Sequence, residues 1–262
     1  MSLLRSELRL RSRATAGWVA GVVLLVAMIA GFYPAVRNLA SLDSIYSSLP
    51  TAVQSLLGGS DLVSPVGYLR TQLFAFFLPV VLLVLSMGRG GAAIAGEEED
   101  RTLDLLLAQP VSRRRLYLIK ATAMVCWLAL MSVATFGTLW TLDGATGLQV
   151  GWRELAAVSA QMGLLCLAVG LLTMAVSAAT GRRAIGIAVV GYYVFLAYLQ
   201  QGLSDVVSWL HPFRALSLWH WYIGADPLST GLDAASVLVL VAVSAVATVA
   251  GAEAFRARDL HV

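Results

Sequence analysis

Three glutamates and an aspartate stand together at Glu97, Glu98, Glu99 and Asp100, followed by Arg101 and Thr102, in the segment GEEEDRTLDLLLAQPVSRRRLYLIK that runs from Gly96 to Lys120. Neighbouring carboxylates are suited to general acid–base work or to divalent-metal binding, and both chemistries need a second group within hydrogen-bond reach. The histidines do not supply it. His211 and His220 follow the fifth apolar stretch, and His261 is next to the C-terminus, so imidazole and carboxylate fall at different faces or in unrelated segments. This argues against an intramembrane metalloprotease or glutamate protease. Two readings of the acid run remain, a docking surface and a solvated loop.

The residues after the acids favour docking. Leu103, Asp104, Leu105, Leu106 and Leu107 form an apolar helical turn that Pro110 stops, Ser112 can cap a new helix, and Arg113, Arg114 and Arg115 open it. Thr102 is placed to cap the short turn. The leucines would be the buried anchor of an interface and Glu97 to Arg101 its polar rim. Arg113 to Arg115 would either touch the partner or hold anionic lipid. No GxxxxGK[ST] phosphate loop occurs, so the chain is not read as an ATPase or as an enzyme of its own, and no cofactor is expected on it.

What positions this segment is a membrane. Of 262 residues 59% are hydrophobic and 13% charged, against about 25% charged in soluble domains. Six apolar stretches approach or exceed the ~20 residues a bilayer core needs, at 16–36, 69–95, 116–141, 154–180, 184–201 and 234–255. The chain is therefore expected to be an all-α integral membrane protein, a single transmembrane domain over 1–262; the short alternating strands of a barrel are missing. Spans two and four exceed the need and must tilt or project. Fourteen of the eighteen basic residues fall on the side that holds both termini and the loops after spans two and four, which assigns both termini to the cytoplasm. The net charge of +3 reflects this topology and lipid headgroups, with no call for nucleic acid.

Residues 1–15 read as an N-terminal interfacial helix. Leu4 and Leu8 lie one turn apart, and Arg5, Arg9 and Arg13 make a basic stripe. The apolar run that follows lacks a small-x-small cleavage site and is kept as an anchor. Cys126 and Cys166 sit mid-span without metal-type neighbours. In span four Ala156, Gly163, Gly170 and Ser177 recur every seven residues, a stripe for close helix approach either within the subunit or against a second copy. The spans carry almost no ionisable groups, which argues against ion-coupled transport and for energy supplied from outside.

Taken with the Pro212-Phe213 and Asp226-Pro227-Leu228 segment and the ending Ala254-Phe255-Arg256-Ala257-Arg258-Asp259-Leu260, the Gly96–Lys120 segment resembles the ABC-2 type permease family across essentially the whole chain. The acid-run motif is specific; the other two are weak alone. Arg101 departs from the family's commoner glycine, so a tight turn there is expected to give way to a continuing helix. The resemblance implies a six-helix, type V exporter-like fold and a bacterial plasma-membrane location. It implies two permease subunits, identical or not, and two cytoplasmic ATPase subunits that carry the ATP and Mg. The loop over 96–115 would be the coupling helix, with Glu97, Glu98, Glu99, Asp100, Arg101, Thr102, Leu103, Asp104, Leu105, Leu106, Leu107, Pro110 and Arg113 as coupling residues. In related exporters spans two and five line the dimer axis. Phe77, Met87, Tyr193, Tyr198, Gln200 and Gln201 would then form an aromatic and amide wall suited to an amphipathic, drug-like or lipid-like substrate; the plain alternative is that these aromatics pack the bundle or sit at the interface. Residues 202–233 would be an extracytoplasmic re-entrant segment. The function expected is an ATP-driven export permease, and the alternative is a membrane scaffold that recruits a partner without transporting.

Overall fold

The computed structural model describes residues 12–37, 48–50, 53, 64–101, 112–204 and 207–258. Among the described residues six helices are long and apolar enough to cross a membrane: span one Ser12–Val36, span two Pro65–Glu99, span three Arg113–Thr146, span four Trp152–Thr180, span five Arg183–Leu203 and span six Ala234–Ala257. They begin and end where local chemistry dictates. Ser64 accepts a bond from the Gly67 amide (3.0 Å) ahead of Pro65, a residue pre-set for a first helical turn. Ser112 accepts from the Arg115 amide (3.3 Å) as its sequence suggests. Asp233 takes the Ser236 amide (2.8 Å) and hydroxyl (2.7 Å), and these bonds hold its carboxyl below the ordinary aspartate value. Gly147 and Gly181 end spans three and four in the left-handed region, with φ of 72° and 70°.

The interfacial helix expected over 1–15 lies outside the described residues as far as residue 11; Ser12 to Thr15 already belong to span one. At about 1.5 Å per residue the 35 residues of span two reach some 52 Å, well beyond the ~30 Å hydrocarbon core, so this helix projects. It also carries two π-helical segments, Leu69–Phe77 and Ala92–Gly96. The first precedes Pro79, which has no amide to give to the ladder and whose ring crowds the preceding turn. The second comes directly before the acid run.

Span four is the centre of the bundle, with 67% of its most apolar window buried against 17% for span five and 22% for span one. Its small residues let neighbours come close. A side chain on Gly90 would overlap the Gly170 carbonyl, one on Gly170 would overlap the Ser86 hydroxyl, and one on Gly163 would overlap the Ser132 hydroxyl. Within the heptad stripe Gly163 and Gly170 therefore pack against spans two and three, and Ser177 against Gly186 of span five, all in the same chain. Buried hydroxyls such as Thr135, Thr173 and Ser244 return to the carbonyl four residues earlier, which satisfies them inside an apolar bundle.

Between spans five and six the chain makes a 3-10 segment Ser208–Leu216, a helix Leu218–Ile223 and a turn Pro227–Thr230. Leu218, Trp219 and Tyr222 are buried. The Tyr222 hydroxyl donates to the Phe74 carbonyl (2.9 Å), and the Gln161 side chain donates to the Trp221 carbonyl (2.8 Å). Arg70 pairs with Asp226 at 3.2 Å. The segment thus folds back onto spans two and four.

Candidate functional site

The last turn of span two points its glutamates in different directions, since neighbours on a helix stand about 100° apart. Each finds a partner on a different element. Glu97 pairs with Lys120 of span three, both side chains nearly buried. Glu98 takes Arg258, just past span six, on both carboxylate oxygens. Glu99 accepts from the backbone amide of Arg183 (3.0 Å), the first residue of span five. An anionic group there satisfies an orphan amide and meets the positive end of the helix dipole.

Arg258 extends the network. It donates to the Ala178 carbonyl in the last turn of span four (2.7 Å), and its own carbonyl accepts from Arg113 (2.7 Å) at the start of span three. Gly181 makes room for it: besides its positive φ, a side chain there would come within 2.8 Å of the guanidinium. Three consecutive glutamates with Arg258 therefore tie span two to spans three, four, five and six. The pairs Arg114–Glu253 and Arg256–Glu253 (3.9 and 2.8 Å) are much more exposed and add little. Span one joins through Arg89, whose guanidinium lies 4.3 Å above the Trp127 ring and donates to the Thr15 hydroxyl (3.3 Å).

The coupling residues expected from the sequence thus divide. Glu97 and Glu98 turn inward to cations of the same chain instead of forming an outward rim, Glu99 stays exposed with one oxygen on Arg183, and Asp100 and Arg101 are exposed. Arg113 is spent on the Arg258 carbonyl. Thr102, Leu103, Asp104, Leu105, Leu106, Leu107 and Pro110 lie outside the described residues. The expectation of a continuing helix at Arg101 is corrected: Arg101 adopts φ 56°, so the tight turn is kept and the arginine bears the left-handed strain a glycine would avoid.

Of the candidate substrate wall, Phe77 is exposed on span two while Met87, Gln200 and Gln201 are half-buried. Tyr193 donates to the Leu216 carbonyl (2.7 Å) and accepts from the Leu218 amide (3.3 Å). Tyr198 meets Trp219 edge to face at 5.1 Å. Both tyrosines hold the segment between spans five and six. The exposed apolar residues of span five are Ile185, Val189, Tyr192, Phe195 and Leu196, and those of span two are Phe76, Phe77, Val80 and Val84. The sequence alone does not mark Lys120, Arg183 or Arg258 as site residues; the signal it offers for Arg258 is the basic C-terminal motif, 160 residues from its carboxylate.

Residues 1–260 match the family described as ABC-2 family transporter protein. The chain belongs to the ABC-2 family. Comparison with curated proteins and with solved structures returned no match. The six long apolar helices and the family together make the chain the multi-pass permease of an ABC transporter, a transport component that is not itself catalytic and that works with an ABC ATPase subunit. In the permease the glutamate–arginine network lies at the root of the loop between spans two and three.

Proposed function

We propose that the permease belongs to an exporter of the bacterial plasma membrane and takes its energy from two cytoplasmic ATPase subunits, carrying ATP and Mg, that dock on the loop between spans two and three. One observation carries this reading. The helix that enters the loop is tied through Glu97, Glu98 and Glu99 to spans three, six and five, so a push on the loop is delivered to most of the bundle at once. Leu103, Leu105, Leu106 and Leu107 supply the apolar anchor and Asp100 and Arg101 the polar edge. A second permease subunit packs on the face of spans two and five, and an amphipathic substrate passes along that seam.

The test is co-purification of the permease with its ATPase, wild type against the double substitution Leu105→Asp, Leu106→Asp. Two carboxylates forced into an apolar contact weaken binding at least ~100-fold, with the membrane domain still monodisperse. Undiminished capture of the ATPase would place docking elsewhere. Capture without substrate-stimulated ATP hydrolysis would leave a scaffold.

A further inference from the structure

Between the π-helical segment Ala92–Gly96 and the left-handed Arg101, span two has one short helical turn, Glu97–Glu99, closed by Asp100. The wide π turn interrupts the regular ladder behind it, and Arg101 turns the chain aside ahead of it. A turn of three residues has no ladder of its own length to stiffen it, so its direction is set by what its side chains hold.

The three glutamate contacts differ in how well they fix direction. Glu99 is exposed and takes a backbone amide on one oxygen. Glu97 meets the Lys120 ammonium, a compact charge on a flexible stem that fixes separation more than angle. Glu98 meets a rigid plane. Nη2 of Arg258 reaches both of its carboxylate oxygens, while Nη1 of the same guanidinium donates to the Ala178 carbonyl of span four (2.7 Å). Because one plane carries both nitrogens, seating Nη1 on span four seats Nη2, and with it Glu98. The arginine is itself held, its amide on the Ala254 carbonyl (3.1 Å) and its carbonyl on Arg113 (2.7 Å).

We propose that Arg258 is a positioning residue: it uses span four, the most deeply buried span, as the reference that fixes the direction in which span two leaves the bundle. Its charge alone does not do this; the fixed spacing of two donors on one plane does. Arg258→Lys keeps the charge and loses the plane. The consequence for ATPase docking rests on the reading given above. A chain that leaves in several directions presents its docking face for part of the time, and its apparent affinity falls by that fraction.

The direction is read as a distance distribution, by pulsed dipolar electron spin resonance between spin labels at Asp100→Cys and Val133→Cys. Both positions are exposed, and Val133 lies on span three. Cys126→Ser removes the exposed native thiol, while Cys166 is buried. Labelled permease in nanodiscs is diluted with unlabelled permease, so that only distances within one chain are read. The wild type gives one narrow distribution. Arg258→Lys broadens or splits it, with a smaller fall in Tm than Arg258→Ala. In unlabelled protein, a docking direction kept about a tenth of the time weakens ATPase binding about tenfold. Glu98→Gln leaves the arginine on span four, frees the turn in the same way and decides the matter should Arg258→Lys fold poorly. An arginine that only stabilises would lower Tm in both variants and leave the distribution as narrow as in the wild type, which would overturn the proposal. So would a wild-type distribution as broad as those of the variants. Broadening with ATPase affinity unchanged would overturn the link to docking. The spin measurement needs no ATPase, so undiminished capture by Leu105→Asp, Leu106→Asp would sink the docking reading and leave this result standing.

Discussion

Spans four and five follow one another in the chain, are both apolar and both long enough to cross a bilayer, yet 67% of one window is buried and 17% of the other. The difference lies in side-chain size. Span four presents glycine, alanine, serine and cysteine where spans two and three approach, and its backbone is reached directly by Ser86, whose hydroxyl donates to the Cys166 carbonyl. Span five turns Tyr192, Phe195 and Leu196 outward, with only Gly186, Val190, Ala197 and Gly202 buried. Where no hydrophobic effect drives helices together, the helix with the smaller residues becomes the hub. Large residues stay at the rim, against lipid or another subunit.

The comparison is broken hardest by exchanging the two characters. Gly170→Leu drives a side chain into Ser86 and Met124 and costs about 3 kcal/mol by overpacking, read as a lost monodisperse peak or a large fall in Tm. The paired substitution Tyr192→Ala, Phe195→Ala lowers Tm only slightly, because both rings are mostly exposed. If a second permease sits on span five, the same pair weakens self-association at least ~10-fold in cross-linking or single-molecule counting. Tolerance of Gly170→Leu, or a large Tm fall from the span five pair, would reverse the roles assigned to the two helices.

An effect of similar size tests the other contrast, between this apolar hub and the charged network at its end. Lys120→Met leaves Glu97 with its cation gone in a nearly buried site and costs about 3 kcal/mol. Adding Glu97→Gln recovers most of it, because what hurts is the uncompensated charge and less the loss of the pair. Equal Tm values for the single and double variants would show that the pair is solvated and that the network does not bind spans two and three. The Glu98–Arg258 pair, with side chains 27% and 19% exposed, predicts a milder loss of about 2 kcal/mol for Arg258→Ala.

How far the sequence could be read follows from the range of each interaction. Helix spans are set by apolar runs and by caps within three or four residues, so six spans and the Ser112 cap were legible. The Gly163–Gly170–Ser177 stripe was legible as a stripe, but its facing helix is a tertiary fact. The π-helical turn at Ala92–Gly96 leaves no composition signal, and it resets the direction of everything after it, including the glutamates. A run of acids reads as a solvated or docking face because solvation is the common fate of carboxylates. Its partners here arrive 23, 84 and 160 residues later, and nothing local announces them. The tyrosines of span five show the same limit: Tyr193 and Tyr198 were legible as aromatic positions, but their contacts with Leu216 and Trp219 depend on how the segment between spans five and six folds back.

Arg101 gives the finest test, because this chain puts an arginine at a left-handed position where the motif resemblance leads one to expect glycine. The position sits at φ 56° between the last turn of span two and the loop. A left-handed L-residue bears roughly 1 kcal/mol or more of steric cost that glycine escapes, although glycine recovers part of it as extra freedom in the unfolded chain. Arg101→Gly is therefore expected to raise stability by a little under ~1 kcal/mol, visible as a small Tm increase, with the Glu98–Arg258 contact intact. Arg101→Ala removes the same exposed charge and keeps the strain, so it should leave Tm where it is. Equal gains from both would trace the effect to charge at the end of span two, and the turn would then carry no measurable strain at Arg101.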